Sequence, residues 1–236
     1  IPSAIYTLAN IELENGYYQQ AKEHYNEYLL SYKIPDNQIS DIKTKIQKCE
    51  FAIKLLNNPV PFEPYNLGNN VNSNYNEYLP SITADDSTLI ITVQTETGKK
   101  DFINNSLLNE DFYISHKDIT GNWTKRMPIS DINTPYNEGA QSVSADGNYL
   151  VYTACNRPDG QGSCDIYMAK KLPSGKWSKP INMGPNVNSK KWDSQPSISS
   201  DGKTIYFASS REGGYGKMDI WKTELQEDGS WSPPIN

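Results

Sequence analysis

The sequence predicts an α + β chain in two parts: a helical segment, then part of a WD40-like β-propeller with three four-stranded blades. Three observations carry this prediction. Apolar residues recur at helical spacing from residue 1 to about 57, and from Leu67 onward the period is two. Prolines cluster where the period changes, in NNPVPFEPYN. Beyond that point EDFYISHKDITGNWTK, CDIYMAKKLPSGKWSK and MDIWKTELQEDGSWSP align without gaps. Asp111, Asp165 and Asp219 stand 54 residues apart, and so do Trp123, Trp177 and Trp231.

The helical part comes first in the chain. AIYTLANIELENG and YYQQAKEHYNEYLLSY are two amphipathic segments joined at Gly16, expected as helices over about 1–14 and 17–31. Ala9 and Ala21 place small side chains where the paired helices approach. A third helix is expected over about 37–57, opening with the capping-like SDIK and carrying Ile42, Ile46, Cys49, Ile53 and Leu56 at helical spacing. The order Ala9, Gly16, Tyr17, Tyr18, Ala21, Tyr25, Tyr28, Pro35 resembles a tetratricopeptide repeat, with Tyr6 near the place of the family's missing Trp. By that register Ser3, Tyr6, Asn10, Leu13 and Glu14 are concave positions, in a groove that takes an extended or helical peptide. The expected organisation is helices over 1–57, a proline-rich linker over 58–66, and blades at about 67–129, 130–183 and 184–236.

Each β unit reads as four short strands. LPSITADDSTLIITVQ, AQSVSADGNYLVYTAC and QPSISSDGKTIYFASS are first and second strands joined by a tight turn. Asp85, Asp146 and Asp201 are read as turn formers whose side chains bond local amides. Gly147 and Gly202 supply the positive φ, and Asp86 takes that place in the first unit. YLVYTA and TIYFA are apolar on both faces, so each is expected to be sealed between neighbouring blades. The fourth strand is expected to begin at the Trp. The span between turn Asp and third-strand Asp is seven or eight residues longer in the first unit. That insertion, within TETGKKDFINNSLLNE, makes Lys99, Lys100 and Phe102 candidates for partner binding.

Composition bounds the function. A net charge of −6, from 22 Lys and Arg against 28 Asp and Glu, argues against a cationic nucleic-acid groove. Hydrophobic content of 36% and mean hydropathy of −0.70 are low for one thick core, but 16 Tyr and 5 Trp supply burial in thin β layers. No apolar run approaches the roughly 20 residues that span a bilayer. The first residues already read as helix, so any export signal is expected upstream. Cys155 and Cys164 flank NRPDGQGS at opposed hairpin ends, and a disulfide is favoured over two independent thiols. Cys49 reads as a buried core thiol.

LGNNVNSNYNEYLPSITADDSTLIIT and MGPNVNSKKWDSQPSISSDGKTIYFASSREGGYGKMDIW resemble the WD40-like PD40 propeller repeat. With the helices and PVPFEPYN in front, the whole chain resembles a Bacteroidota outer-membrane family. That family joins tetratricopeptide repeats, a PD40 propeller, a carboxypeptidase-regulatory-like domain and an OmpA-type peptidoglycan-binding domain, as in PorE-like components of type IX secretion and gliding. The resemblance implies a non-enzymatic periplasmic scaffold associated with the outer membrane and without a cofactor. It implies a PorP/SprF-like outer-membrane β-barrel as partner, and peptidoglycan binding through domains outside this chain. Three blades do not close a ring of about four to eight, so further blades are expected elsewhere in the parent protein.

Chemistry is sparse. His24 lies on the second helix, and His116 stands where the other units carry Lys170 and Glu224, as on a solvated strand face. No nucleophile elbow, zinc spacing or phosphate loop is present, and DGQGS holds too few carboxylates for a calcium loop. The spacing of SSDGKTIYF fails the sialidase-type S-x-D-x-G-x-T-W box. Glu77, Glu138 and Asp193 recur ahead of each first strand, either as a ring of acids at the channel mouth or as carboxylates satisfying blade-edge amides. The alternatives to a scaffold are a propeller hydrolase or glycan-binding protein, or a TolB-like periplasmic propeller, whose family carries an α/β domain in front of its blades.

Overall fold

The structure, a computed structural model, describes residues 2–31, 33–96 and 108–236. The chain folds as two compact units, Ile1–Tyr65 and Asn66–Asn236.

The first unit is three helices: α1 (Pro2–Glu14), α2 (Tyr18–Ser31) and α3 (Asp36–Asn57). α1 ends in a Schellman-type closure. Gly16, at φ +81°, donates to Leu13, and Tyr17 donates to Glu12 across the end of the helix. Ala9, Ala21, Tyr25, Ile42 and Cys49 form the buried core, so the small residues do lie where the helices meet. Burial raises the Cys49 thiol pKa above its ordinary value. α3 begins a turn earlier than the SDIK motif implies. Pro35 is its N-cap, and Gln38 and Ile39 donate to the Pro35 carbonyl. Proline's fixed φ presets that start, so Ser40 and Asp41 lie inside the helix.

The second unit is three antiparallel meanders. Blade one holds β1 (Asn76–Ile82), β2 (Thr88–Glu96), β3 (Leu108–His116) and β4 (Met127–Pro128). Blade two holds β5 (Glu138–Val143), β6 (Tyr149–Cys155), β7 (Cys164–Lys170) and β8 (Ile181–Asn182). Blade three holds β9 (Asp193–Ile198), β10 (Thr204–Ser209) and β11 (Asp219–Glu224), with Ile235 bridging Lys222 on its outer edge. Each first strand carries a bulge. Leu79, Ala140 and Gln195 sit there at φ +51°, +52° and +55°, where the register shifts.

The fourth strand differs from the expectation. Trp123, Trp177 and Trp231 each make one isolated bridge to the end of the third strand, and the paired fourth strand follows four residues later. Pro128, Pro180, Pro233 and Pro234 crowd this edge, and a residue without an N–H cannot extend a ladder.

The blades stack through their second strands. Ile90 and Phe112 of blade one meet Leu150, Tyr152, Ala154 and Tyr167 of blade two. The other side of blade two, at Val151 and Ile166, meets Ile205, Phe207 and Trp221 of blade three. YLVYTA is therefore covered on both faces. TIYFA is not: Ile205 and Phe207 are buried against blade two, while Tyr206, on the opposite face, is 47% exposed. No sheet among the described residues follows blade three, so the expected seal holds on one face of β10 only.

Candidate functional site

The helical groove residues divide into two groups. Tyr6 and Asn10 join a polar network with α3. The Tyr6 hydroxyl donates to Asp41 (3.1 Å), Lys45 donates to the Tyr6 oxygen (2.6 Å) and to Asn10 Oδ1 (3.0 Å), and Tyr25 donates to the same Asn10 oxygen (2.8 Å). Lys45 also lies 4.8 Å above the Tyr6 ring. Pairing with Lys45 lowers the Asp41 pKa, and burial pushes Tyr25 up to about 12. Leu13 packs against the core. Ser3 and Glu14 remain exposed. His24 is paired with Glu12 at 2.7 Å.

The repeated turn aspartates act alike. Asp85 Oδ1 accepts from the Thr83 hydroxyl (2.6 Å) and the Ser87 N–H (3.1 Å). Asp146 accepts from Ser144 (2.5 Å) and the Asn148 N–H (3.0 Å), and Asp201 from Ser199 (2.5 Å) and the Lys203 N–H (3.0 Å). These hydroxyl donors, first, hold all three carboxyls below their ordinary range, Asp85 at about 2. Gly147 and Gly202 take φ +70° and Asp86 φ +56° beside them.

Glu77, Glu138 and Asp193 each cap the loop four residues upstream. The N–H and hydroxyl of Ser73, Thr134 and Ser189 donate to Glu77, Glu138 and Asp193 respectively. Each acid also faces an arginine: Arg126 at 2.7 Å, Arg157 at 3.9 Å and Arg211 at 2.6 Å. Glu138 and Asp193 are fully buried, so they present no carboxylate to a passing cation, and the channel-mouth reading gives way to the amide-satisfying one. Glu138 differs from its counterparts because Asp159 holds the Arg157 guanidinium in two hydrogen bonds. Burial, with a smaller contribution from Asp111, pushes Glu138 up to about 8. Tyr152 Oη and Arg157 Nη1 are buried there without a hydrogen-bond partner among the described residues.

His116 accepts or donates one bond with Thr88 Oγ1 (3.0 Å), and burial lowers its pKa. Lys99, Lys100 and Phe102 lie outside the described residues. Cys155 and Cys164 face each other in the β6–β7 register and are disulfide-bonded. Among the described residues no group of three or more His, Cys, Asp or Glu side chains is placed to hold a metal ion. No described helix is long and apolar enough to cross a membrane.

The sequence reading missed the groups that lock one blade to the next. Asn133 Oδ1 accepts the Phe112 N–H and its amide donates to the Phe112 carbonyl, both at 2.9 Å. Asn188 grips Ile166 in the same way, at 2.8 and 2.9 Å. The signal was present in the repeated VNS of VNSNYNE and VNSKKWD, where the Asn precedes the Ser that caps the acid.

The chain matches no family model and no curated protein. Its solved-structure neighbours include a β-propeller domain. TolB from Acinetobacter baumannii is 21% identical with a TM-score of 0.45, covering 70% of this chain and 33% of that one. The β-propeller domain of the Trilobed protease from Pyrococcus furiosus, described as having open velcro topology, is 12% identical with a TM-score of 0.40, covering 68% and 42%. Puromycin hydrolase is 13% identical with a TM-score of 0.47, covering 67% and 23%. The chain thus spans about a third of the TolB chain it resembles. The neighbours include enzymes and proteins not described as such, so the reading of the surfaces rests on this chain's own geometry.

Proposed function

We propose that this chain is the interaction region of a non-enzymatic periplasmic scaffold in a Bacteroidota envelope machine of the type IX secretion or gliding class. Its helices form a tetratricopeptide-type groove, and it binds an outer-membrane β-barrel of the PorP/SprF-like kind. Peptidoglycan anchoring belongs to an OmpA-type domain of the parent protein. One observation carries the reading: the acids that recur in every blade are bonded to the same local amides and hydroxyls each time. Their recurrence therefore follows from building blades. Partner recognition then falls to what does not recur, namely Ser3 and Glu14 on the helical unit and the insertion holding Lys99, Lys100 and Phe102. The disulfide between Cys155 and Cys164 suits an oxidising compartment.

Capture from detergent-solubilised envelopes with the whole chain as bait tests this. An outer-membrane β-barrel is the expected prey, lost when Glu14 and Lys99 are both reversed in charge. Capture of a glycan or of no envelope protein contradicts the scaffold. Turnover of a peptide or glycoside by the purified chain favours the hydrolase alternative.

A further inference from the structure

Glu77, Glu138 and Asp193 each face an arginine, and the three arginines do not sit alike. In blade one Arg126, from the stretch between β3 and β4, donates through Nη1 to Glu77 (2.7 Å) and to the Val71 carbonyl (2.5 Å). In blade three Arg211 donates through Nη2 to Asp193 and to the Val187 carbonyl, both at 2.6 Å. Val71 and Val187 each stand just before the asparagine of a VNS turn. In both blades, then, one guanidinium ties the acid to the turn ahead of it, and this is the inner seat. Blade two has the matching parts, Glu138 and, before Asn133, Ile132. Arg157 matches Arg211, since each stands two residues past the end of its second strand. Arg157 nevertheless stays 3.9 Å from Glu138 and gives its Nε and Nη2 to Asp159, at 2.9 and 3.1 Å.

Two residue differences between blades two and three move Arg157 outward. In blade three the Ser209 hydroxyl accepts Arg211 Nε at 2.9 Å. The matching residue of blade two is Cys155, whose sulfur is bonded to Cys164. Gly213 of blade three is matched by Asp159. The inner seat of blade two therefore loses an acceptor, and an outer seat gains one. The Tyr167 hydroxyl also donates to Asp159 (2.9 Å), and Arg157 lies 4.5 Å above the Tyr167 ring. Arg157 Nη1, the atom nearest Glu138, is buried without a hydrogen-bond partner among the described residues, and so is Tyr152 Oη. Around Glu138 stand Asp111 of β3, Tyr152 of β6 and Arg157, with Asp159 and Tyr167 of β7 beyond the arginine. Glu110 of β3 accepts the Tyr78 hydroxyl (2.5 Å), and Asp165 of β7 accepts the Gln161 and Gly162 amides (2.6 and 3.2 Å). Arg157 is thus the cation placed to answer a charge on Glu138. A buried carboxylate is costly without a counter-charge, and the protonated carboxyl is not.

We propose that Arg157 is a proton-controlled latch with two seats. It rests on Asp159 while Glu138 holds a proton. It turns onto Glu138 and the Ile132 carbonyl when Glu138 releases that proton to solvent. The inward position is the one that Arg126 and Arg211 already occupy in the other blades, so the fold has room for it. Burial pushes Glu138 up to about 8, which puts the change close to neutral pH. The turn leaves Asp159, whose side chain is 54% exposed, without its arginine. The loop between β6 and β7 therefore shows a neutral ion pair at lower pH and a bare carboxylate at higher pH.

Crystal structures of the purified chain at about pH 6 and about pH 10, two units either side of the Glu138 midpoint, test the proposal. Arg157 is expected on Asp159 in the first and within hydrogen-bond distance of Glu138 in the second. In solution, the Arg157 Nε resonance should shift with the same midpoint as the Glu138 carboxyl carbon. Glu138→Gln, neutral at every pH, should keep Arg157 on Asp159 in both crystals and abolish the Nε shift. Asp159→Gly copies Gly213 at an exposed position, so the fold should hold, and it should seat Arg157 on Glu138 already at about pH 7. Arg157 resting on Asp159 at both pH values while Glu138 is ionised overturns the latch. So does inward movement that persists in Glu138→Gln, or an Arg157 that stays outward in Asp159→Gly.

Discussion

Asp85 and Glu138 are both carboxylates at recurring blade positions, and their surroundings drive them in opposite directions. Asp85 is exposed and takes its hydrogen bonds from Thr83 and Ser87, which favour the charged form. Its contribution is present above the ordinary carboxylate value of 3.8 and is lost as pH falls toward its folded value of about 2. A carboxyl-carbon NMR titration should place the Asp85 midpoint below those of exposed model aspartates. Glu138 is buried, and its pKa rises to about 8. The folded state then holds a proton that the unfolded state releases above the ordinary glutamate value of 4.5, so stability falls as pH rises from about 4.5 to 8. Glu138→Gln removes that fall. Its unfolding free energy should match the parent near pH 5 and exceed it near pH 8.5 by on the order of a few kcal/mol. A constant difference across that range would contradict a neutral Glu138.

The blade and the helix were legible in the sequence to different depths. Gly16, Ala9 and Ala21 marked the helix pair because a positive-φ cap and small interface residues leave direct traces in sequence. The Asp-Gly turns were readable for the same reason. The SDIK cap was misplaced because Pro35 supplies the start by backbone geometry alone. The asparagine grips were missed because the repeated VNS marks the Asn but not its partner, a main chain 21 or 22 residues away. They carry a sharp prediction. Asn188→Ala leaves the buried Ile166 N–H unpaired, while the Ile166 carbonyl keeps the Met183 N–H at 3.1 Å, and should cost about 2 kcal/mol by chemical denaturation. Asn70→Ala, in the equivalent turn of blade one but exposed, should cost less than about 1 kcal/mol. Equal losses would mean that the grip does not hold the blades. Reduction of Cys155–Cys164, which ties β6 to β7, should lower stability by about 2 kcal/mol with the fold retained.

At the scale of the whole molecule, recurrence separates architecture from recognition. Turn aspartates, loop-capping acids and asparagine grips repeat because one blade cannot bury its own faces, so the same bonds are needed at each junction. Under the proposed scaffold function, positions without a counterpart in the other blades or on the helices are the ones a partner would read, and the exposed Ser3 and Glu14 are of that kind. The long insertion between β2 and β3 could be located from spacing, but not its contacts, since spacing reports length and nothing of what a loop touches. Photo-crosslinking in intact cell envelopes tests this division most directly. A photoreactive residue at Glu14, Lys99 or Phe102 is compared with one at Lys203 in a recurring turn. The scaffold reading predicts crosslinks to an outer-membrane β-barrel from at least one of the first three positions and none from Lys203. Crosslinks from Lys203 alone, or from none of the four, would contradict it.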